Sequence, residues 1–519
     1  MTFRITYSVL DADMTALHAQ FDEALAAVRR GLGGVFPSWI GGKAFESGDL
    51  LESRNPARPG ELLARFHRTP VGEVDRVMRV AREAQRGWGA TPWQERARIL
   101  RKAADLISER RLSLSAIMAL EVGKNRLESL GDVEESADLL RYYAGQLEEA
   151  QGFVKPLARL SPNEDTRSVL RPYGVFVVIA PFNFPLALAA GMSAGALLGG
   201  NAVVLKPSEE APWCAEGLFH ALRDAGLPDG VFQVVHGEGE TLGAALVAHP
   251  GVDGVAFTGS KSVGYAIHGQ LNATRIRPCF LELGGKNPAI VCKDADLEAA
   301  IEGCFRSAFG LSGQKCSALS RVYVHESLKQ AFLAGLSEKA RSARVGDPTE
   351  VPTFVGPVIQ PASVARFEHA AAEARRDGVV HAGGERLRLA GALSDGYFVA
   401  PTVVEIAHGH RLMREELFLP FVGVTGFGAL EEALTLANDC AYGLTAGIFS
   451  RKDADVAFFL EHAEAGVLYA NRRTGATTGA WPGVQAFSGW KGSGSTGKGG
   501  CGPYYVAQFM REQSQTRMG

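Results

Sequence analysis

Cys316 stands in the run Gly313-Gln314-Lys315-Cys316-Ser317-Ala318, and Glu282 stands upstream in Leu281-Glu282-Leu283-Gly284-Gly285-Lys286-Asn287. The first is a soft nucleophile in a Gly-led loop of small and polar neighbours, with Lys315 adjacent. The second is a carboxylate at the end of an apolar, strand-like run. A thiolate that attacks a carbonyl and a base that then activates water are the two parts needed to oxidise an aldehyde through a covalent thioester. A cysteine in an apolar setting is more often an inert core residue, and Cys279, Cys292, Cys304 and Cys440 are read that way.

Other segments carry groups that such chemistry needs. Asn183 lies in Pro181-Phe182-Asn183-Phe184-Pro185, between a strand-like and a helix-like run. An amide donor there would stabilise a tetrahedral alkoxide, each such donor being worth roughly 3 kcal/mol. Alone, such an Asn is a turn residue. Phe257-Thr258-Gly259-Ser260-Lys261-Ser262-Val263-Gly264 follows a strand pattern and opens a helix. Gly259 and Gly264 could let the backbone approach a pyrophosphate, and the helix start favours its charge. An ordinary Gly-rich turn between strand and helix reads the same. Lys206-Pro207-Ser208-Glu209 ends another strand, where a Lys and a carboxylate suit ribose hydroxyls, although a solvated loop has the same pattern. Glu416 and Phe418, in Glu415-Glu416-Leu417-Phe418-Leu419-Pro420, could equally be a surface acid and a core aromatic.

These segments need a scaffold, and 519 residues are too many for one hydrophobic core, so two or three domains are expected. A net charge of −3 gives no basic excess for nucleic acid or an anionic membrane. Seven scattered cysteines without a Cys-x-x-Cys pair argue against a disulfide framework and a structural zinc site, and suit a reducing compartment. The N-terminus lacks a signal-like apolar core, and the apolar run Leu186–Leu198 is too short to span a bilayer. The expectation is a soluble, cytoplasmic protein with no membrane or nucleic-acid partner and no metal.

Periodicity predicts an amphipathic helix over residues 10–32, helices over Val74–Gly87, Gln94–Arg110 and Asp132–Gln151, and a two-stranded excursion in Leu157–Arg171. From Val175 short β-branched runs alternate with helices: Val175–Ile179, Ala202–Leu205, Val231–Val235 and Gly254–Phe257. This βαβ series implies a mostly parallel sheet. A second α/β series follows Glu282 and runs to about Gly489. The segment Ser493–Gly500 reads as a flexible loop.

Taken in order, residues 181–185, 206–209, 257–264, 281–287 with 313–318, and 415–420 resemble the aldehyde dehydrogenase superfamily, and the likeness extends over about residues 35–515. The resemblance implies that Cys316 is the nucleophile, Glu282 the water-activating base, and Asn183 with the Cys316 backbone N–H the oxyanion donors. It implies that Lys206 and Glu209 hold the adenosine ribose of NAD, and that the turn at Gly259, Ser260 and Gly264 faces the phosphates. Glu416 would grip the nicotinamide ribose and Phe418 brace the ring. Glu209 would repel a 2′-phosphate, favouring NAD over NADP. Leu419 replaces the usual Gly of its segment.

Asn471-Arg472-Arg473-Thr474-Gly475-Ala476, ahead of Gln485-Ala486-Phe487-Ser488-Gly489-Trp490-Lys491, resembles the glutamate 5-semialdehyde (1-pyrroline-5-carboxylate) dehydrogenase branch. There the loop amides, matched here by Gly475 and Ala476, bind the substrate α-carboxylate, aided by the hydroxyl matching Ser317. Glu135 stands where that branch keeps a Glu near the substrate. Residues 480–483 read as an insertion. The implied fold is a Rossmann-like cofactor domain (residues 1–282, with 153–172 as a β oligomerisation excursion), an α/β catalytic domain (283–489) and a C-terminal oligomerisation segment (490–519) in a homo-oligomer. Another semialdehyde, an aromatic or aliphatic aldehyde, or a non-catalytic binding role on the same fold are the alternatives.

Overall fold

The computed structural model describes Thr6 and residues 14–519. Residues 10–13 of the expected N-terminal helix lie outside these. The helix runs Thr15–Arg30 and buries Phe21 and Leu25 against Ala116, Ala119 and Leu120 of the helix Arg111–Val122.

Five parallel strands form the centre of the first sheet, in the order Cys279–Glu282, Gly254–Thr258, Val175–Ile179, Ala202–Lys206 and Phe232–Val234. The antiparallel pair Ser38–Ile40 and Lys43–Phe45 extends the far edge. Val175–Ile179 and Ala202–Lys206 are buried at every residue, as helices on both faces demand, so they read as unbroken apolar runs rather than alternating ones. The chain builds outward from Val175–Ile179 on one side, then returns to its other side with Gly254–Thr258. That reversal opens a crevice at the carboxyl ends of these two strands, the place where open α/β sheets bind ligands.

The second sheet has six parallel strands, Thr402–Glu405, Phe421–Phe427, Leu319–His325, Asn287–Val291, Thr445–Phe449 and Val467–Ala470, with Val379–Ala382 antiparallel at one edge. A third, small sheet joins Val154–Pro156, Glu164–Pro172 and the C-terminal strand Met510–Met518.

Three elements differ from expectation. The helix expected from Asp132 runs Arg126–Glu149, because the Asn125 side chain caps the Glu128 N–H at 3.0 Å and starts it well before Asp132. This places Glu128 on the same helix as Glu135 and Tyr143. The loop expected to be flexible at Ser493–Gly500 is pinned at its start. Leu283 N donates to Ser493 O (2.8 Å), Ser493 Oγ to Gly284 O (2.7 Å) and Leu281 N to Ser495 Oγ (2.9 Å). Trp490–Lys491 pairs with Tyr442–Gly443 of the second α/β unit, so residues 490–495 hold the Glu282 strand to that unit, and the C-terminal strand begins only at Met510. No helix among the described residues is long and apolar enough to cross a membrane.

Candidate active site

A cavity of about 290 Å³ is lined by Thr258, Glu282, Cys316, Ser317 and Glu135. The structure therefore brings the expected nucleophile, the expected base and two of the expected substrate residues together.

Cys316 is delivered by a turn that few sequences adopt. Leu311 and Ser312 have φ of 48° and 53°, and Gly313 follows at +66°. A Cβ on Gly313 would lie 2.0 Å from the Leu419 carbonyl, so glycine is required there for both reasons. Phe418 takes φ of 59° just before Leu419. Downstream, Asn287 Nδ2 donates to the Cys316 carbonyl at 2.7 Å and Thr477 Oγ1 to the Ser317 carbonyl at 2.8 Å. Lys315 does not serve the thiol as its adjacency suggested: its ammonium meets Glu128 Oε1 at 2.6 Å.

Burial, then the carboxylates of Glu416 and Glu282, push the Cys316 thiol up to about 12. Below that value the thiolate fraction grows tenfold per pH unit. We therefore expect alkylation of Cys316 by iodoacetamide in the cofactor-free protein to quicken about tenfold per unit from pH 7 to 9. A rate flat across that range, read by peptide mass spectrometry, would contradict this. Glu282 ends its strand with its carboxyl held well above the ordinary range by burial, and its Oε2 has no hydrogen-bond partner among the described residues. An apolar site that raises a carboxyl in this way makes it a stronger base once ionised.

Asn183 is buried, and its Nδ2 donates to the Gln314 carbonyl at 3.0 Å. One amide N–H thus ties it to the nucleophile loop, and the second is the donor that the expected oxyanion role would require. Asn183→Ala should lower kcat by about 10²–10³-fold. A loss confined to KM in steady-state kinetics would remove it from the oxyanion role.

Of the residues expected to hold the cofactor, Lys206, Glu209 and Ser260 lie at or just past the carboxyl ends of first-sheet strands, whereas Glu416 and Phe418 lie in the loop between Arg411–Arg414 and Phe421–Phe427. Lys206 ends its strand, and its ammonium meets Glu209 Oε2 at 2.8 Å. Burial pushes the Glu209 carboxyl up, but the Lys206 charge and hydrogen bond outweigh it and leave the group below its ordinary value. Ser260 caps the helix Lys261–Leu271, its Oγ accepting from Val263 N at 3.4 Å. Glu416 Oε1 accepts from Gly285 N at 2.9 Å, and burial lifts its carboxyl to about 7. A Cβ at Gly284 would fall 2.0 Å from Glu416 Oε2. Phe418 stands edge-on to Phe182, ring centroids 6.0 Å apart. Paired acid and lysine, a capped helix start and a second buried carboxylate fit two riboses and a pyrophosphate.

Two glycines do something other than expected. Gly264 lies one turn inside the helix, where an added Cβ would come 2.4 Å from Leu283 Cδ2, so it packs helix on strand instead of facing phosphate. The Gly259 N–H is already donated to the Glu282 carbonyl at 3.1 Å, so Gly259 fixes the base's strand end.

Comparison with known proteins gives the family. The aldehyde dehydrogenase family model matches residues 43–514. The chain belongs to the aldehyde dehydrogenase family. It is 36% identical over 516 residues to a 1-pyrroline-5-carboxylate dehydrogenase of Geobacillus sp. (strain WCH70), covering 98% of both chains. Its structure matches that of 1-pyrroline-5-carboxylate dehydrogenase from Thermus with bound NAD at a TM-score of 0.93 and 34% identity, over all of both chains. It also matches proline utilization A from Bdellovibrio bacteriovorus at a TM-score of 0.93 and 35% identity, covering 98% of this chain and 53% of that longer one.

Within this family frame the substrate loop needs one correction. The Gly475 N–H donates to Arg472 O at 3.3 Å and the Ala476 N–H to Gly303 O at 3.0 Å, while Ala476 packs into the core of the second α/β unit. Neither offers its amide to the cavity. The loop residues that line it are Thr474 and Thr478–Ala480, and Gly479 and Ala480 donate to no other backbone group among the described residues. The sequence contains Thr-Gly-Ala twice, at 474–476 and 478–480, and the second copy was the missed signal. Of residues 480–483 only Ala480 lines the cavity, and the segment is tied to the body: Trp481 Nε1 donates to Asp138 Oδ2 at 2.9 Å and Gly483 N to Cys501 O at 3.1 Å. Phe184, Tyr143, Tyr505 and Phe487, none of them singled out from sequence, supply apolar wall. Cys279, Cys292 and Cys304 are buried as expected, whereas Cys440 is only half-buried. No cluster of metal-ligating side chains occurs among the described residues.

Proposed function

We propose that this protein oxidises L-glutamate 5-semialdehyde to L-glutamate with NAD, a step in proline breakdown. The observation that carries the reading is one cavity shared by Cys316, Glu282, Ser317, Glu135 and the Gly479–Ala480 amides. The 1-pyrroline-5-carboxylate dehydrogenases that the chain resembles along its full length support it. The Cys316 thiol gives its proton to solvent and its sulfur adds to the aldehyde carbon, and the second Asn183 N–H with the Cys316 backbone N–H holds the alkoxide. When bound, NAD supplies the hydride acceptor, with Lys206, Glu209, Ser260, Glu416 and Phe418 holding it. The acyl group then remains on Cys316 as a thioester. Glu282 takes a proton from water as the water oxygen attacks the thioester carbon and the C–S bond breaks, and it passes that proton to the leaving thiolate, releasing the acid and the thiol. Exposed backbone amides bind a carboxylate without a basic side chain, which suits Gly479 and Ala480 to the substrate α-carboxylate. Glu135, half-buried in the same cavity, suits its ammonium.

The fold divides into a cofactor unit and a catalytic unit, with the small sheet as the pairing surface of a homo-oligomer. Its C-terminal strand Met510–Met518 is exposed almost throughout and sits at the sheet edge, the kind of strand that recruits a second chain. Seven unpaired cysteines suit a reducing cytoplasm.

The test is reduction of NAD or NADP by purified protein with glutamate 5-semialdehyde, succinic semialdehyde, an aliphatic aldehyde and benzaldehyde side by side. Preference for the first substrate with NAD supports the reading; turnover of another aldehyde with glutamate 5-semialdehyde ignored overturns the substrate and keeps the mechanism. Gly479 has φ of 98°, which a side chain strains. Gly479→Ala should raise KM for glutamate 5-semialdehyde by about tenfold, the worth of one displaced hydrogen bond, with little effect on benzaldehyde. Equal effects on both would detach the loop from carboxylate binding.

A further inference from the structure

The turn before Cys316 is unfavourable by itself. Two L-residues and a glycine in succession adopt left-handed φ, and each non-glycine residue so held costs of order 1–3 kcal/mol unless its surroundings impose the conformation. What imposes it comes largely from one distant side chain. Glu128, in the first turn of the helix Arg126–Glu149, accepts the Leu311 N–H on Oε2 at 3.0 Å and the Lys315 ammonium on Oε1 at 2.6 Å. Its two oxygens therefore hold the residues at both ends of the turn. Both side chains are largely buried, at 13% and 9% exposure, where an ion pair is rigid and poorly screened. Gly310 closes against the pair: an added Cβ there would stand 2.9 Å from Glu128 Oε1.

The start of Glu128's helix is itself anchored. Asn125 Nδ2 donates to Phe354 O at 3.1 Å, and the buried Arg126 donates Nε to Thr349 O at 2.7 Å while its guanidinium meets Asp22 of the N-terminal helix. Within the turn, Ser312 Oγ donates to Gly356 O at 2.8 Å and Gln314 O accepts from Asn183. A turn set by Glu128 thus sets the place of Cys316 relative to the oxyanion donor Asn183.

Glu128 and Lys315 both line the cavity, and we propose that Glu128 is the positioning residue of the nucleophile turn, acting through Leu311 and Lys315 to hold Cys316 against Asn183. This rests on Cys316 being the nucleophile, and the test separates the two. In Glu128→Leu with Lys315→Met, both charges go together. Replacing a buried ion pair by apolar groups of similar size is close to neutral for folding, so thermal melting should stay near wild type. The Leu311 N–H loses its acceptor, and kcat and the rate of Cys316 alkylation should both fall about 10²-fold, the scale of a misplaced reacting group, with KM for the aldehyde nearly unchanged. Glu128→Gln with Lys315→Met keeps a carbonyl acceptor for Leu311 and should recover most of both rates. Wild-type kcat in the Leu/Met variant, a loss confined to KM, or a Gln/Met variant no better than Leu/Met would each overturn the proposal. Turnover that survives Cys316→Ala would instead remove the nucleophile assignment beneath it.

Discussion

Cys316→Ala is expected to reduce aldehyde-dependent NADH formation by roughly 10⁴-fold or more, because the covalent route disappears with its nucleophile and its partners cannot act alone. Of the other cysteines only Cys501 lines the cavity with Cys316. Cys279, Cys292 and Cys304 are enclosed in the cores, with their thiols pushed up by burial. Cys501 shares the cavity wall, but burial holds its thiol far above the ordinary range. Cys316 is only half-buried, and truncating it leaves the hydrogen bonds to its backbone carbonyl in place. Melting temperature and NAD binding should therefore be kept. Loss of activity in step with loss of folded protein would not be the expected result.

Glu282→Gln should separate the two halves of the reaction. Acylation of Cys316 does not need a water-activating base, so the first turnover should release about one NADH per site, followed by a steady rate roughly 10²–10⁴-fold below wild type. The pH dependence carries the sign. Burial raises the Glu282 carboxyl, so it stays protonated above the ordinary carboxylate range and cannot accept a proton from water until the pH passes its shifted value. Thioester hydrolysis in the wild type should therefore climb with pH through that value and be lost as pH falls. The Gln variant should lack the climb. A burst-free Gln variant, or one with the wild-type pH profile, would assign water activation elsewhere.

Much of the site was legible because its chemistry is local. Cys316, Glu282 and Asn183 each stand in a short run whose neighbours announce a strand end or a tight turn, and the strands Val175–Ile179 and Ala202–Lys206 are unmistakable unbroken apolar runs. What could not be read depended on contacts between distant residues. Two Thr-Gly-Ala copies are locally alike, and only the folded path shows that the Ala476 amide bonds Gly303 while Gly479 and Ala480 line the cavity. Lys315 looked like a helper of the thiol by adjacency, yet its ammonium partner Glu128 lies 187 residues away. Gly264 looked like part of a phosphate loop because the helix start at Ser260 was one turn earlier than a Gly pattern can reveal. The segment at Ser493–Ser495 has a flexible composition, but its hydroxyls bind the backbone on both sides of Glu282.

The most direct measurement of the account is peptide mass spectrometry of the Glu282→Gln protein quenched after mixing with NAD and glutamate 5-semialdehyde. The expected result is an adduct on Cys316 with the mass of the aldehyde less two hydrogens, formed in step with the NADH burst. No adduct, or an adduct on another cysteine, would contradict it.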